Sequence, residues 1–222
     1  MTSNAEEWVY IARSDSQRLQ QLLREKGIRF FVQDGPYDPE RLKIAAILVP
    51  GKLPVTAETL DRAPALRAIS KYGVGLDRID IDACTQRSIL VCNAPTVNNV
   101  SVAEHAITLL LMAAKQIGYH DRRMRQTPPQ WREPNGPRGV EITGKTVSVI
   151  GLGHIGRLFA QLASGLGMRI VGYDPFVDAA ALPDYITLEN DLERAMAAGD
   201  FVSIHVAGNE KTRGMIGAKE IA

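Results

Sequence analysis

The sequence predicts an α/β protein with two doubly wound parallel-sheet domains. Short apolar segments with strand character alternate with amphipathic helical segments, an order that places helices on both faces of a parallel sheet. The alternation occurs once before residue 98 and again from residue 145. A chain of 222 residues is long enough for two small cores. We therefore expect domains at residues 1–98 and 99–222.

The first domain is predicted to contain five strands and three helices. The first helix has leucines on one face and ends at Gly27, and Thr56 is the expected N-cap of the second. The predicted strands are Trp8–Ala12, Ile28–Val32, Ile44–Val49, Leu66–Lys71 and Ile89–Cys92, and the predicted helices are Ser16–Lys26, Thr56–Arg62 and Ile81–Arg87.

A long apolar helix is predicted next, over residues 101–116. Ser101 and Glu104 have the spacing of a capping box, which predicts the start of the helix. Because the helix is apolar on nearly every side, we expect it to be buried. His105 lies on it without a visible acid-base partner, so we interpret it as a packing histidine rather than a catalytic one.

The segment Tyr119–Gly139 is rich in arginine and proline and is predicted to be irregular. We interpret Arg122–Arg125 as a solvated helix end, while Trp131 fits either loop packing or a subunit contact. The second domain continues with predicted strands Thr146–Ile150, Arg169–Tyr173 and Phe201–Val206, and with predicted helices Ile155–Leu166 and Asp191–Ala198.

A glycine-rich turn between strand Thr146–Ile150 and the following helix predicts dinucleotide binding. Gly151 allows a tight turn, Gly153 lets the backbone approach a pyrophosphate, and Gly156 lets the helix pack closely on the strand. Asp174 ends the next strand 23 residues after Gly151, near the usual spacing of about 20 for the acid that binds the adenosine ribose. Its charge favours NAD over NADP. The alternative is a turn that only packs.

Composition argues against several other functions. A formal net charge of +1 gives no indication of nucleic acid or an anionic membrane as a partner, and no apolar run approaches the roughly 18 residues of a membrane span. The N-terminal residues 1–7 are polar and acidic, unlike a secretory signal. Cys84 and Cys92 lack metal or redox spacing. We expect two reduced thiols in a cytoplasmic protein without a metal site.

Four motifs in order resemble the NAD-dependent D-isomer-specific 2-hydroxyacid dehydrogenases, the family that includes phosphoglycerate dehydrogenase. The similarity covers nearly the whole chain from about residue 40. The motifs are the segment Lys71–Asp80, which resembles the family's substrate loop, Asn93–Pro95 and Asn98–His105, which resemble its interdomain hinge, and Gly144–Thr146 leading into Gly151–Gly156, which resembles its cofactor fingerprint.

The resemblance implies a flavodoxin-like substrate domain, a Rossmann NAD-binding domain and a homodimer. Backbone amides of Val74 and Gly75 would bind the substrate carboxylate, and Asn98 would lie beside substrate or nicotinamide. The implied cofactor-binding residues are Gly151, Gly153, His154, Ile155, Gly156, Asp174, His205, Val206, Ala207 and Thr212. Taken alone, the Gly73–Gly75 turn, Asn98 and His205 also fit purely structural roles.

The chain departs from the family in two places. Ala207 replaces the family's usual proline, which leaves the stiffness of that loop open. The family's catalytic histidine, carboxylate and arginine follow the counterpart of Thr212–Gly217, so no catalytic residue can be assigned in this chain. We expect the N-terminal two-thirds of a dehydrogenase or a truncated relative, with the last strand, Phe201–Val206, as an exposed sheet edge.

Two main functions follow from these features. The first is a dehydrogenase that transfers a hydride between NAD and C2 of a small 2-hydroxy acid of the 3-phosphoglycerate or hydroxypyruvate/glyoxylate type, although the 222-residue chain alone would be inactive. The second is a non-catalytic NAD-binding module or pseudoenzyme. A weaker alternative is a phosphate-binding protein that uses only the loop Gly73–Asp77.

Overall fold

The computed structural model describes residues 7–13, 16–130 and 136–221. The chain divides into two compact units, Met1–Asn98 and Asn99–Ala222, each with its own parallel sheet. Both units are doubly wound, which confirms the predicted fold class. Trp131 and the acidic N-terminus at residues 1–6 lie outside the described residues.

The first unit has strand order β2-β1-β3-β4-β5, the order of flavodoxin-like folds. Its strands are β1 Trp8–Ile11, β2 Arg29–Val32, β3 Ala45–Val49, β4 Ala68–Ser70 and β5 Leu90–Cys92. Its helices are α1 Gln17–Glu25, α2 Pro39–Ile44, α3 Ala57–Asp61 and α4 Ile81–Gln86.

Alternate residues of the central strand β1 serve two separate cores. Val9 and Ile11 pack with Leu19 and Leu23 of α1 on one face of the sheet. Tyr10 faces the other side, in the larger cluster that includes residues of α2, α3 and α4. The period of two in a strand thus produces the two-faced burial expected of a doubly wound sheet.

Helix α2 was not predicted, and the strand expected at Ile44–Val49 begins one residue later because Ile44 ends this helix. Asp38 is its N-cap and accepts hydrogen bonds from the amides of Glu40 and Arg41. Asp38 followed by Pro39 is a typical helix start. Only Leu42 of the helix is buried, so its apolar pattern is too short to reveal it.

The second unit has strand order β8-β7-β6-β9, which is the 3-2-1-4 portion of a dinucleotide-binding sheet. The order of its elements along the chain is α5 Asn99–Ala114, α6 Ile117–Met124, β6 Thr146–Ile150, α7 His154–Gly165, β7 Arg169–Tyr173, β8 Ile186–Leu188, α8 Leu192–Ala198, β9 Phe201–Ile204 and α9 Ala218–Ile221.

Strand β9 is an edge of the described sheet, as predicted. Its pairing is with β6 alone, and Val202 and Ile204 are 40% and 51% exposed. Strand β8 was not predicted. With three residues, it is too short for an alternating pattern to stand out from a loop.

Two predictions about helix α5 were wrong. The helix begins at Asn99, so Ser101 lies inside its first turn and does not cap it. The helix is also not buried all round, because Val100 and Leu109 are more than half exposed within the chain. Helical pattern alone cannot distinguish a helix buried in its own chain from one that presents an apolar face outward.

Helix α6 occupies part of the segment that was predicted to be irregular. It begins after Gln116, which has a left-handed backbone conformation, and ends at Met124. Arg122 and Arg125 are exposed at this end, which confirms the solvated helix end.

Among the described residues no single helix is both long and apolar enough to span a membrane. Only α5 and α6 taken together, with a 69° bend between them, reach that length and composition.

Candidate functional site

The turn after β6 can only be made by glycine at its first position. Gly151 has φ of +98°, and its amide donates to the carbonyl of Tyr173 at 2.8 Å. A Cβ at Gly151 would lie 2.8 Å from the carbonyl carbon of His205 and 2.9 Å from the amide of Val206. The turn therefore passes directly against the chain that leaves β9, so any side chain would displace one of them.

Gly156 brings helix α7 against this turn. A Cβ at Gly156 would lie 1.9 Å from the carbonyl oxygen of Gly151, a distance that no side chain can adopt. Gly153, in contrast, is exposed, and no atom lies within 4 Å of the position that its Cβ would take. One glycine is required by contact with protein, and the other leaves open space.

The open space lies at the N-terminus of α7. Gly153 is the N-cap and has no side chain to accept hydrogen bonds from the first amides of the helix. The amides of His154 and Ile155 belong to this first turn, where the positive end of the helix dipole also lies. The arrangement is that of an anion-binding site built from backbone.

Asp174 joins this site through the backbone. One carboxylate oxygen accepts a hydrogen bond from the amide of Leu152 at 2.9 Å, and the other accepts from the amide of Phe176 at 3.0 Å. A carboxylate has about four lone-pair positions, so both oxygens keep capacity for hydroxyl groups of a ligand. The structure thus places Asp174 beside the glycine-rich turn, with its orientation fixed.

His205 follows β9 and is packed rather than exposed. Its amide donates to the carbonyl of Ile150 at 2.7 Å, its Nε2 lies 2.8 Å from the hydroxyl of Ser203, and its ring centre lies 5.0 Å from that of Phe159. Burial lowers the pKa of His205 below its usual value, so the ring is neutral at pH 7. A neutral imidazole here can accept or donate a hydrogen bond without carrying charge.

The segment beyond His205 is braced by Thr212. The Thr212 hydroxyl donates to the carbonyl of Ala207 at 2.6 Å and accepts from the amide of Asn209 at 3.0 Å. The Asn209 side chain accepts in turn from the amide of Lys211. These hydrogen bonds restrain the loop around Ala207 without proline. Val206 lies between this loop and the glycine-rich turn, in contact range of Gly151.

In the first unit, the loop after β4 directs two successive amides to the same side. The carbonyl of Gly73 accepts from the amide of Ala94 at 2.9 Å, and the carbonyl of Val74 accepts from the Asn93 side chain at 2.8 Å. In a trans peptide the N–H points opposite to the C=O. The amides of Val74 and Gly75 therefore point away from residues 93–94. They are the two groups predicted to bind a carboxylate.

Three basic residues follow the carboxyl ends of strands in the first unit, near the loop after β4. They were not identified from the sequence. Arg13, Lys52 and Lys71 each come within three residues of the end of β1, β3 or β4. Lys71 Nζ donates to the carbonyl of Gly51 at 2.6 Å, and Arg78 donates to that of Lys52 at 2.9 Å. A groove of about 290 Å³ lies here, lined by Ala12, Arg13, Asp34, Gly35, Gly51, Lys52 and Leu53.

The predictions for Asn98 and His105 have different outcomes. Asn98 lies in an exposed turn directly before α5, and its predicted role stays a prediction. His105 is exposed on α5, which corrects its interpretation as a packing residue. It lines a largely apolar groove of about 450 Å³ between α5 and the open strand β9, together with Leu109, Ile204 and others.

The family follows from a comparison with known proteins. Residues 107–222 match the model of the "D-isomer specific 2-hydroxyacid dehydrogenase, NAD binding domain", which covers more than half of the chain. The chain belongs to the D-isomer-specific 2-hydroxyacid dehydrogenases. Members of this family are NAD-dependent enzymes, so the second unit is an NAD-binding domain.

Three proteins illustrate the similarity. The chain is 41% identical over 194 residues to the D-3-phosphoglycerate dehydrogenase of Mycobacterium tuberculosis, covering 85% of this chain and 36% of that one. It is 36% identical over 175 residues to the glyoxylate reductase of Korarchaeum cryptofilum, covering 76% and 51%. The D-lactate dehydrogenase of Aquifex aeolicus, solved with NAD and lactic acid, has a TM-score of 0.83 at 26% identity, covering 97% and 65%.

The chain thus spans between about a third and a half of the length of these curated relatives.

The residues present in its NAD-binding domain fit the cofactor. Gly153 leaves open space at the start of α7 for a pyrophosphate, and Asp174 keeps acceptor capacity for ribose hydroxyls beside the same turn.

Proposed function

We propose that this chain binds NAD and carries the nucleotide-binding machinery of an enzyme that oxidises a small 2-hydroxy acid or reduces the matching 2-oxo acid. The proposal depends mainly on one observation. The glycine-rich turn, the start of α7 and the Asp174 carboxylate meet at the carboxyl ends of strands β6 and β7. Asp174 is hydrogen-bonded to Leu152 in the middle of the turn.

Each part of this site has a separate task. The amides of His154 and Ile155 bind the diphosphate, and Asp174 accepts hydrogen bonds from the ribose hydroxyls. Its charge repels a 2′-phosphate, which favours NAD over NADP. His205, Val206 and the Ala207 loop form the wall for the nicotinamide half. When bound, the nicotinamide accepts or donates a hydride at its C4 position.

The loop after β4 supports binding of an anionic substrate in the first unit. The amides of Val74 and Gly75 point the same way and suit a carboxylate, as in other backbone anion sites. Arg13, Lys52 and Lys71 follow neighbouring strands at this edge, which suits a second anionic group. This arrangement favours a phosphorylated acid such as 3-phosphoglycerate over glyoxylate. Asn98 is assigned to the same substrate.

We further propose that the 222-residue chain alone does not turn over substrate. The family's chemistry needs a histidine paired with a carboxylate as general acid-base. Among the described residues none of the four histidines is paired with a carboxylate, and the partner of His205 is Ser203. This observation also favours the second candidate function, a non-catalytic NAD-binding module.

Two measurements on the purified chain test these proposals. NADH fluorescence titration measures cofactor binding, and absorbance at the NADH band measures turnover with NAD and D-3-phosphoglycerate or D-glycerate. We expect saturable NADH binding, weaker NADPH binding and no turnover. Turnover would contradict the inactivity of the chain. Failure to bind NADH while D-3-phosphoglycerate still binds would leave only a phosphate-binding role for the Gly73–Asp77 loop.

A homodimer and a cytoplasmic location belong to the same proposal. The exposed apolar residues Val100, Leu109 and Met112 of α5 support a contact between two copies. Both cysteines are free, which suits a reducing compartment. Light scattering coupled to size-exclusion chromatography tests the first statement, with a mass near 24.3 kDa contradicting it. Cell fractionation tests the second.

A further inference from the structure

Arg157 connects two chain segments that border the nucleotide site. It lies in the first turn of α7, and its side chain turns back toward the glycine-rich turn. Its Nε donates to the carbonyl of Leu152 at 2.8 Å, and its Nη1 donates to the carbonyl of Ala181 at 3.2 Å. Ala181 ends the short 3₁₀ turn that follows Asp174. One guanidinium thus joins the pyrophosphate side of the site to the ribose side.

Leu152 is fixed by contacts in three directions. Its amide donates to the Asp174 carboxylate at 2.9 Å, and its carbonyl accepts from Arg157. Its side chain is 1% exposed and packs closely on Gly172. A Cβ added at Gly172 would lie 2.8 Å from Leu152 Cδ1. The peptide groups on both sides of Leu152 are therefore oriented before any ligand binds.

The orientation of the Leu152 carbonyl determines the direction of the next amide. The only cis peptide bond among the described residues precedes Pro128, so the Leu152–Gly153 peptide is trans. In a trans peptide the N–H points opposite to the C=O. Because Arg157 holds the carbonyl on one side, the Gly153 amide points to the other side. Gly153 is exposed, and the position of its missing Cβ has no neighbour within 4 Å.

We infer that Arg157 is a positioning residue that directs the Gly153 amide at the diphosphate of the bound dinucleotide. The inference rests on the proposed NAD binding and assigns the diphosphate as the part of the ligand that depends on Arg157. Two of the five N–H donors of the guanidinium are engaged by the carbonyls of Leu152 and Ala181, so the side chain holds two backbone segments in place. A lysine has one ammonium group on a flexible chain and cannot hold both carbonyls in this way.

The test compares three variants of the full chain. Arg157→Ala removes the contact, and Arg157→Lys keeps the charge without the two-carbonyl geometry. The matched control is Arg169→Ala, which removes a guanidinium bonded to the Thr146 hydroxyl at the opposite end of the strands. Affinities for NADH and ADP are measured by calorimetry, and that for adenosine, which lacks a diphosphate, by ligand-observed NMR.

We expect Arg157→Ala to weaken NADH and ADP binding about tenfold and to change adenosine binding less than twofold. Arg157→Lys should weaken NADH binding about threefold, and Arg169→Ala should leave it unchanged. Full recovery with lysine, unchanged NADH binding in Arg157→Ala, or an equal loss for adenosine would overturn the inference. Absence of NADH binding by the wild-type chain would contradict the proposed function. Normal NADH binding by the wild type together with any of the three results above would contradict only the role of Arg157.

Discussion

The two units both present backbone amides just beyond a parallel strand, but they hold those amides by different means. In the second unit, a Cβ at Gly151 or Gly156 would lie less than 3 Å from backbone atoms, and the amides belong to the first turn of a 12-residue helix. In the first unit, Val74 and Gly75 belong to a loop, and α4 starts only at Ile81. Steric contact at two glycines is specific to the site of the second unit, whereas the loop of the first unit relies on hydrogen bonds alone.

The hydrogen bonds of the first loop come from distant parts of the chain. The Asn93 side chain reaches the carbonyl of Val74 across 19 positions of sequence, and the Ala94 amide reaches the carbonyl of Gly73. Among the described residues, no helix begins at these two amides. We therefore expect the anion site of the second unit to be more rigid than that of the first. We expect mutations to affect the two sites to very different degrees.

The largest expected effect is that of Gly156→Ala. The new methyl group would lie 1.9 Å from the Gly151 carbonyl oxygen, so α7 and the turn must separate. The amides at the start of the helix would then leave their positions, and we expect NADH affinity to fall more than about 100-fold, which corresponds to about 3 kcal/mol. Fluorescence titration of NADH measures this loss.

Gly165→Ala is the matched control, because it makes the same change near the other end of α7. No atom lies within 4 Å of the added methyl group, and alanine is a better helix former than glycine by about 1 kcal/mol. The control should bind NADH normally and melt at a slightly higher temperature. Normal NADH binding by Gly156→Ala would show that the turn is adjustable after all and would remove the contrast between the units.

The next effect in size is that of Asp174→Asn on cofactor choice. The asparagine oxygen can still accept from the amide of Leu152, but the charge that repels a 2′-phosphate is lost. We expect NADH affinity to fall about tenfold, as is typical when hydrogen bonds to a charged group are weakened, and NADPH affinity to rise relative to it.

Asp178→Asn separates this effect from a general change of charge. Asp178 is four residues away and caps the 3₁₀ turn through the amide of Ala180. Its variant should keep the wild-type ratio of NADH to NADPH affinity, measured by competition at fixed ionic strength. An unchanged ratio in Asp174→Asn would mean that this carboxylate does not contact the ribose.

The same contrast explains how much of the molecule the sequence could predict. The glycine turn was predictable because steric contact permits only glycine at Gly151 and Gly156. Asp174 was predictable because it directly follows strand β7, which pairs with β6 up to Tyr173. Arg157 and Asn93 were not predictable, because they bond to backbone carbonyls, which every residue provides. A hydrogen bond from a side chain to a backbone carbonyl does not restrict which amino acid carries that carbonyl, so the sequence gives no sign of it.

The fold shows the same division. The five-residue strands β6 and β7 were predicted with their observed limits, since all of β6 and Ile170 and Gly172 of β7 are buried in a parallel sheet. The elements α2 and β8 were missed, because each has a single buried residue and therefore shows no apolar repeat. The exposure of α5 depends on what surrounds the helix, which its own sequence does not contain.

A smaller effect is expected in the first unit from Asn93→Ala. The carbonyl of Val74 would lose one exposed hydrogen bond worth about 1 kcal/mol, so the Gly75 amide would lose its orientation only part of the time. We expect about fivefold weaker binding of D-3-phosphoglycerate, followed by NMR through the amide signals of Val74 and Gly75.

Gln21→Ala is the control for this variant, since it removes an exposed amide side chain from α1 of the same unit. It should leave the titration unchanged. A loss of 100-fold or more in Asn93→Ala would show that the loop is as rigid as the glycine turn. A loss of less than twofold would show that Asn93 does not orient the Gly75 amide.

The smallest effect concerns the pH dependence of the second unit's stability, through His205. Burial lowers the pKa of His205 below the 6.5 of an exposed histidine, so the unfolded chain binds the proton more readily than the folded one. The contribution of the neutral ring is complete above pH 6.5 and is lost as the pH falls from there through the lowered pKa. We expect the melting temperature to fall by about 1–3 °C more in the wild type than in His205→Gln over this window.

The control is His120→Gln, which removes an exposed histidine of α6 in the same unit and should keep the wild-type pH dependence. Glutamine at position 205 can still pair with the Ser203 hydroxyl, so the comparison isolates the titration of the ring from the loss of a hydrogen bond. If both variants followed the wild-type curve, the ring would be solvated rather than packed on Phe159. The wall behind the glycine turn would then be as adjustable as the loop of the first unit.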